Sequence, residues 1–211
     1  CLVEIKDTYT TIAQATEETL FKEKSSKFFG YAFPIQSEEE VKPIIEQLRK
    51  LHPHAVHYCY AYQIGTEKIS YRANDDGEPN NSAGAPIYGQ IQSFGLTNII
   101  LVVVRIFGGI KLGVGGLITA YKTAAQLVLE EAEIIEKTID TPFLISFDYK
   151  NMNKVMRVIK EKKLDIVTQS MELDEDFGLA LGKIEIKNRK KNAEMIFDIF
   201  DNLFEIEIKR L

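Results

Sequence analysis

Three carboxylates stand within four residues of one another, at Asp75, Asp76 and Glu78. Grouped carboxylates can hold a divalent cation or share a proton. They sit in Asn74-Asp75-Asp76-Gly77-Glu78-Pro79-Asn80-Asn81-Ser82-Ala83-Gly84, a loop by composition. The alternating acid order of a calcium-binding EF-hand is absent, and Asp-Gly and Glu-Pro pairs also serve plain turns. A second group follows, where Gly108, Gly109, Gly113, Gly115 and Gly116 surround Lys111, with Arg105 before them and Lys122 after. Such a loop can bring bare backbone N–H groups and a helix start close to an anion. Neither G-x-x-x-x-G-K-[ST] nor G-x-G-x-x-G is present, and glycines also permit close packing of helix on sheet. His52, His54, His57 and Cys59 could ligate a metal, but their spacing fits no established zinc pattern. No nucleophile and base stand together, so no catalytic residue, metal ligand or cofactor is assigned.

The glycines need a frame, and residues 98–131 supply it. The run Ile99-Ile100-Leu101-Val102-Val103-Val104 shows no alternation and reads as a strand buried on both faces. After the loop, Leu117, Ala120, Tyr121, Ala124 and Val128 fall at helical spacing. The unit is strand, glycine-rich loop, helix. Upstream, residues 1–16 read as an arm or short strand. Residues 18–24 and 27–35 read as a hairpin around Ser25-Ser26. Ser37 and Glu40 form a capping box before a helix with Val41, Ile44, Ile45, Leu48 and Leu51 on one face. Residues 57–64 and 68–73 are strand-like, and 86–93 reads as a short helix with Pro86 in its first turn.

A boundary falls at Asp140-Thr141-Pro142, which divides the chain into 1–140 and 141–211. Beyond it, 143–149 alternates as a strand, and Asn151 is placed to cap a helix carrying Met152, Val155, Met156 and Ile159. Two strands, 164–173 and 178–187, flank the acidic turn Asp174-Glu175-Asp176. A helix after Asn188 and a last strand at 205–209 complete β-α-β-β-α-β, the ferredoxin-like order. That fold hosts many functions. Its central strands show Ile, Val and Leu rather than the aromatics of an RNA-binding sheet. Arg189-Lys190-Lys191 reads as a solvated helix start.

The 211 residues suffice for one large domain or two small ones without staples. The net charge of −5 excludes a molecule that holds nucleic acid by its overall field. Residues 1–140 carry that excess, and 141–211 balance 13 basic against 13 acidic side chains. Two cysteines make no disulfide framework, no signal peptide is visible, and no apolar run reaches about 18 residues. A cytoplasmic protein without membrane spans is expected.

Several segments together resemble the YigZ/IMPACT family: DDGEP at 75–79, Ala83-Gly84 with Pro86-Ile87, GLTN at 95–98, and RIFGGIKLGVGGL at 105–117 with Ala120-Tyr121. The likeness runs from about Glu18 to the C terminus and is most specific over 75–121. It implies an α+β protein of two domains. The first would be an α/β sandwich like the second domain of a small-subunit ribosomal protein. The second would be ferredoxin-like, similar to one in elongation factor G. The eukaryotic relatives modulate translation through an extra N-terminal module, for which this chain has too little sequence before Glu18. Two departures stand out: Asn80-Asn81-Ser82 where many relatives have Ser-Gly-Thr, and Ala85 and Thr119 where many carry a base. The resemblance points to a non-enzymatic translation-associated protein with RNA or ribosome-associated partners. Its contacts would be Arg105, Gly108, Gly109, Lys111, Gly113, Gly115, Gly116 and Lys122. A phosphate-ligand or Mg²⁺-dependent enzyme using the acidic loop Asp75, Asp76, Gly77 and Glu78 is the alternative. The two loops are expected to meet, with Arg105 or Lys111 within about 6 Å of a loop carboxylate.

Overall fold

A computed structural model describes residues 4–211. Cys1, and the first three residues of the arm expected over 1–16, lie outside them. The chain forms two compact units, Tyr9–Lys137 and residues 4–8 with Thr138–Leu211. No described helix is long and apolar enough to cross a membrane.

In the first unit, β1 (Thr8–Ile12) pairs with β7 (Ile134–Thr138) as a separate ribbon. The main sheet holds β2 (Thr19–Glu23), β3 (Ser26–Pro34), β4 (His57–Ile64), β5 (Ser70–Asn74) and β6 (Ile99–Ile106) in the order β2-β3-β6-β4-β5. Every neighbouring pair is antiparallel. The apolar run 99–104 is therefore the central strand, fully buried along its length. Its burial on both faces, as its apolar run implies, arises because helices cover both sides of an antiparallel sheet. Ile99, Leu101 and Val103 pack under α2 (Gly84–Ser93) and α3 (Gly113–Glu131). Ile100, Val102 and Val104 face the side of α1 (Val41–Leu51).

The helix α3 buries Leu117, Ala120, Tyr121, Ala124, Ala125, Val128 and Leu129, the stripe its spacing dictates. Each large apolar side chain among them contributes about 1.5–3 kcal/mol by burial. A Cβ at Gly30 of β3 would lie 2.1 Å from Val128 Cγ2, so that glycine lets α3 sit directly on the sheet. Lys24 and Ser25 both take positive φ, the mark of a two-residue hairpin turn whose twist suits the strands. The turn thus lies one residue before the Ser25-Ser26 expected, and Ser26 opens β3. The capping box of Ser37 and Glu40 is present, with Ser37 N–H donating to Glu40 Oε2 at 2.9 Å.

The second unit runs β8 (Asp140–Asp148), α4 (Met152–Glu161), β9 (Asp165–Asp174), β10 (Leu179–Arg189), α5 (Ala193–Asp201) and β11 (Ile206–Arg210). The order β-α-β-β-α-β holds, in an antiparallel sheet β11-β8-β10-β9. Phe143, Ile145, Ile184, Ile186, Val155, Ile196 and Phe200 form its core. Two local expectations change. Asn151 occupies the cap position of α4, but its side chain donates to Glu205 instead of the helix. Arg189 is the last residue of β10, not part of a helix start, and it grips the buried Asp7 with two hydrogen bonds of 2.9 and 3.0 Å. The Arg189 guanidinium holds the Asp7 carboxyl below the usual carboxylate range.

Candidate functional site

The two loops singled out by composition meet at the end of the central strand. Arg105 lies in the last turn of pleat of β6, opposite His57 on β4, so both side chains share the α2–α3 face of the sheet. The Arg105 guanidinium points inward. Its Nη1 donates to Glu78 Oε1 at 2.6 Å, and both side chains are almost fully buried. Tyr121, buried in α3, donates its hydroxyl to the same oxygen at 2.7 Å. Arg105 Nη2 and the Gly108 N–H both donate to Ser26 Oγ, each at 3.3 Å. The guanidinium also lies over the rings of Phe28 and Phe107, at 5.6 and 5.4 Å. Its Nε has no hydrogen-bond partner among the described residues.

The other carboxylates are engaged just as fully. Asp75 accepts from the N–H groups of Asn81, Ala83 and Gly84 at 2.9, 3.1 and 2.8 Å, which places a negative charge at the start of α2. Asp76 accepts from Tyr58 N–H at 2.7 Å and faces Arg49 at 3.5 Å. The Asp76 carbonyl meets His57 Nδ1 at 2.7 Å; a carbonyl only accepts, so Nδ1 carries a proton. Gly77, at φ +88°, brings the loop close under the imidazole, and a Cβ there would lie 3.3 Å from His57 Nδ1. The other ring nitrogen, Nε2, stands 3.7 Å from Glu78 Oε1.

Cys59 is wholly buried, with its thiol against the Asp75 carbonyl at 3.0 Å and the Tyr121 hydroxyl at 3.4 Å. Burial pushes the thiol well above its ordinary pKa, and burial does the same to the Tyr121 hydroxyl. Both groups are therefore held protonated, which is the opposite of nucleophile activation. Among the described residues no three His, Cys, Asp or Glu side chains converge as a metal site. His57 and Cys59 do share a sheet face, but His52 stacks on Phe29 and meets Tyr31 and Glu18 on the α1 side of the sheet.

The glycine loop divides in two. A Cβ at Gly108 would fall 2.1 Å from the backbone of Ser25, so this glycine lets the loop lie against the β2–β3 turn. Gly116 is close against Leu112, where a Cβ would lie 3.2 Å from Leu112 Cβ. Around Gly109, Gly113 and Gly115 there is open space. Lys111 and Lys122 are exposed and form no ion pair among the described residues. The structure thus joins Arg105 and Gly108 to the interior and leaves Lys111, Lys122 and three open glycines outside. Sequence reasoning passed over Ser26 as a turn residue and Tyr121 as helix packing. A tyrosine at a buried helical position was the available signal, because its hydroxyl must find a partner.

The Impact N-terminal domain family model matches residues 24–129. This chain belongs to the IMPACT family. Among curated IMPACT family members, YvyE of Bacillus subtilis is 35% identical over 155 residues, covering 74% of this chain and 71% of that protein. YigZ of Escherichia coli is 34% identical over 134 residues, covering 63% and 66%. A crystal structure of a hypothetical protein aligns with 98% of both chains at a TM-score of 0.72 and 22% identity, so the IMPACT chain shares its fold. The family match spans both loops, and the Glu78–Arg105–Tyr121 cluster lies wholly inside it.

Proposed function

We propose that this IMPACT-family chain is a non-enzymatic, translation-associated binding protein, with the ribosome or a ribosome-associated factor as its target. The observation that carries this reading is the division within the site. The groups able to do chemistry are engaged with one another: Glu78 with Arg105 and Tyr121, Asp75 with the start of α2, Asp76 with Tyr58. What faces solvent is a run of open glycines, from the loop into the first turn of α3, with lysines that form no ion pair among the described residues. Such a surface binds and does not catalyse. The family's link to translation, and strand orders that suit a ribosomal-protein-like first domain and a ferredoxin-like second one, support the choice of target. An Mg²⁺ enzyme built on Asp75, Asp76 and Glu78 would first have to break the hydrogen bonds that hold those carboxylates.

Sedimentation with ribosomes through a sucrose cushion tests the reading. The chain should pellet with the ribosomal fraction, and Lys111→Glu with Lys122→Glu should weaken the association. A chain that stays in the supernatant at low salt, or that hydrolyses nucleotides with Mg²⁺, overturns it.

A further inference from the structure

The open side of α3 is apolar where a solvated helix should be polar. Val114 and Ile118 are 53% and 39% exposed, and Phe107 and Ile110 in the preceding loop are 45% and 50% exposed. Val114, Ile118 and Lys122 follow at i, i+4 and i+8, so they share one stripe away from the buried Leu117, Tyr121 and Val128. The polar groups nearby add little. Thr119 Oγ1 donates to Gly115 O at 3.1 Å and Thr123 Oγ1 to Thr119 O at 2.8 Å, so both hydroxyls are satisfied inside the helix. Gly115, with open space where a Cβ would stand, allows a partner backbone to come close. Exposed apolar side chains grouped in this way mark protein contacts.

Along the loop and helix that carry this stripe the charge has one sign. From Arg105 to Leu129 the sequence contains no Asp or Glu. Arg105 is neutralised by Glu78, which leaves Lys111 at one end of the stripe and Lys122 at the other. The complement is a segment with apolar residues along its middle and carboxylates at its flanks. A nucleic-acid strand fits poorly: two lysines make a short phosphate track, and the one aromatic ring, Phe107, already lies against Arg105. A second copy fits poorly as well, because a two-fold contact of this face with itself would bring lysine toward lysine.

We propose that Phe107, Ile110, Val114 and Ile118, flanked by Lys111 and Lys122, are the docking face for an acidic amphipathic helix of a partner protein. This names the partner class for the surface on which the proposed function rests.

The test uses the full chain and a labelled helical peptide of about four turns, with leucines at i, i+3, i+4 and i+7 and glutamates on the flanks. A twin peptide carries lysine for each glutamate. Fluorescence anisotropy should show the acidic peptide binding about tenfold tighter or more than its twin. Ile118→Asp should lower acidic-peptide affinity by a similar factor, about tenfold. The pair Lys111→Glu and Lys122→Glu should reverse the preference between the twins, which a misfolded variant would not do. Circular dichroism checks that Ile118→Asp keeps its helix content. Equal binding of the twins, or an acidic-peptide affinity that Ile118→Asp leaves unchanged, overturns the proposal. So does tighter binding of a single-stranded oligouridylate or of phosphatidylserine vesicles that Ile118→Asp abolishes, or dimerisation through the same residue. The two readings fail separately. Ribosome pelleting without discrimination between the twins removes the docking face and leaves the function standing; discrimination without pelleting does the reverse.

Discussion

The acidic loop 74–84 and the glycine loop 107–116 carry the two densest clusters of special residues in the chain, yet they are used in opposite ways. In the acidic loop every carboxylate is turned onto the protein itself, so charge there builds structure. Asp75 satisfies N–H groups at the start of α2, Asp76 ties the loop to β4, and Glu78 meets Arg105 in the interior. The glycine loop holds its first glycine, Gly108, tightly against the hairpin turn and leaves Gly109, Gly113 and Gly115 in open space. A charged residue is therefore a poor guide to function until its partners are known. A bare backbone beside unpaired lysines and exposed apolar side chains is the better one.

The largest way to break this contrast is to remove the buried cation. Arg105→Met should destabilise the first unit by about 3–5 kcal/mol, because Glu78 would be left buried without its guanidinium. The double variant with Glu78→Gln should recover much of that loss, since no uncompensated charge remains. Urea unfolding of the single and double variants checks both. A small effect from Arg105→Met would mean that the acidic loop is not built on this pair, and the contrast would collapse.

Gly108→Ala comes next. Its Cβ would sit 2.1 Å from the Ser25 backbone, so the hairpin turn or the loop must shift, at a cost of about 1–3 kcal/mol. Asp75→Ala should cost about 1–2 kcal/mol by leaving three N–H groups without their acceptor at the start of α2. Gly115→Ala should run the other way. It lies within α3 with nothing near its Cβ, so alanine should stabilise the helix by about 0.5–1 kcal/mol. Thermal melts of the three variants should therefore shift down, down and up. If Gly115→Ala gains stability while weakening partner binding, the open glycines serve contact and not folding.

Much of this was legible before any coordinates. The run Ile99–Val104 announced a strand covered on both faces, because six consecutive apolar residues leave no solvated side. The spacing of Leu117, Ala120, Tyr121, Ala124 and Val128 announced the buried face of α3, and the second unit's element order followed from alternation and helical period alone. Beyond the β2–β3 hairpin, strand pairing was not legible. Nothing local to β6 says that its neighbours are β3 and β4, both antiparallel, because pairing is fixed by contacts distant in sequence. The same limit applied to the site. Meeting of the two loops was foreseen, but which cation meets which carboxylate was not. Arg105 reaches Glu78 only because β6 aims it to the α2–α3 face, while Lys111 stands in the loop beyond. Arg189 shows the same error in the second unit: a cation read as a helix start was the partner of Asp7, 182 residues away.

The smallest expected effect bears on the inside of the acidic loop. Cys59 is buried between β4, the Asp75 carbonyl and the Tyr121 hydroxyl, and its thiol pKa is pushed well above the ordinary range. At pH 8 a free exposed thiol is partly thiolate and is alkylated readily. Cys59 in the folded chain should resist iodoacetamide at that pH and react only as fast as the first unit opens. Arg105→Met, by destabilising that unit, should speed the labelling in proportion to the open population. Mass spectrometry of the Cys59 peptide follows the rate independently of Cys1. Rapid modification in the native chain would mean that solvent enters behind the acidic loop, and that this loop is a doorway instead of a brace.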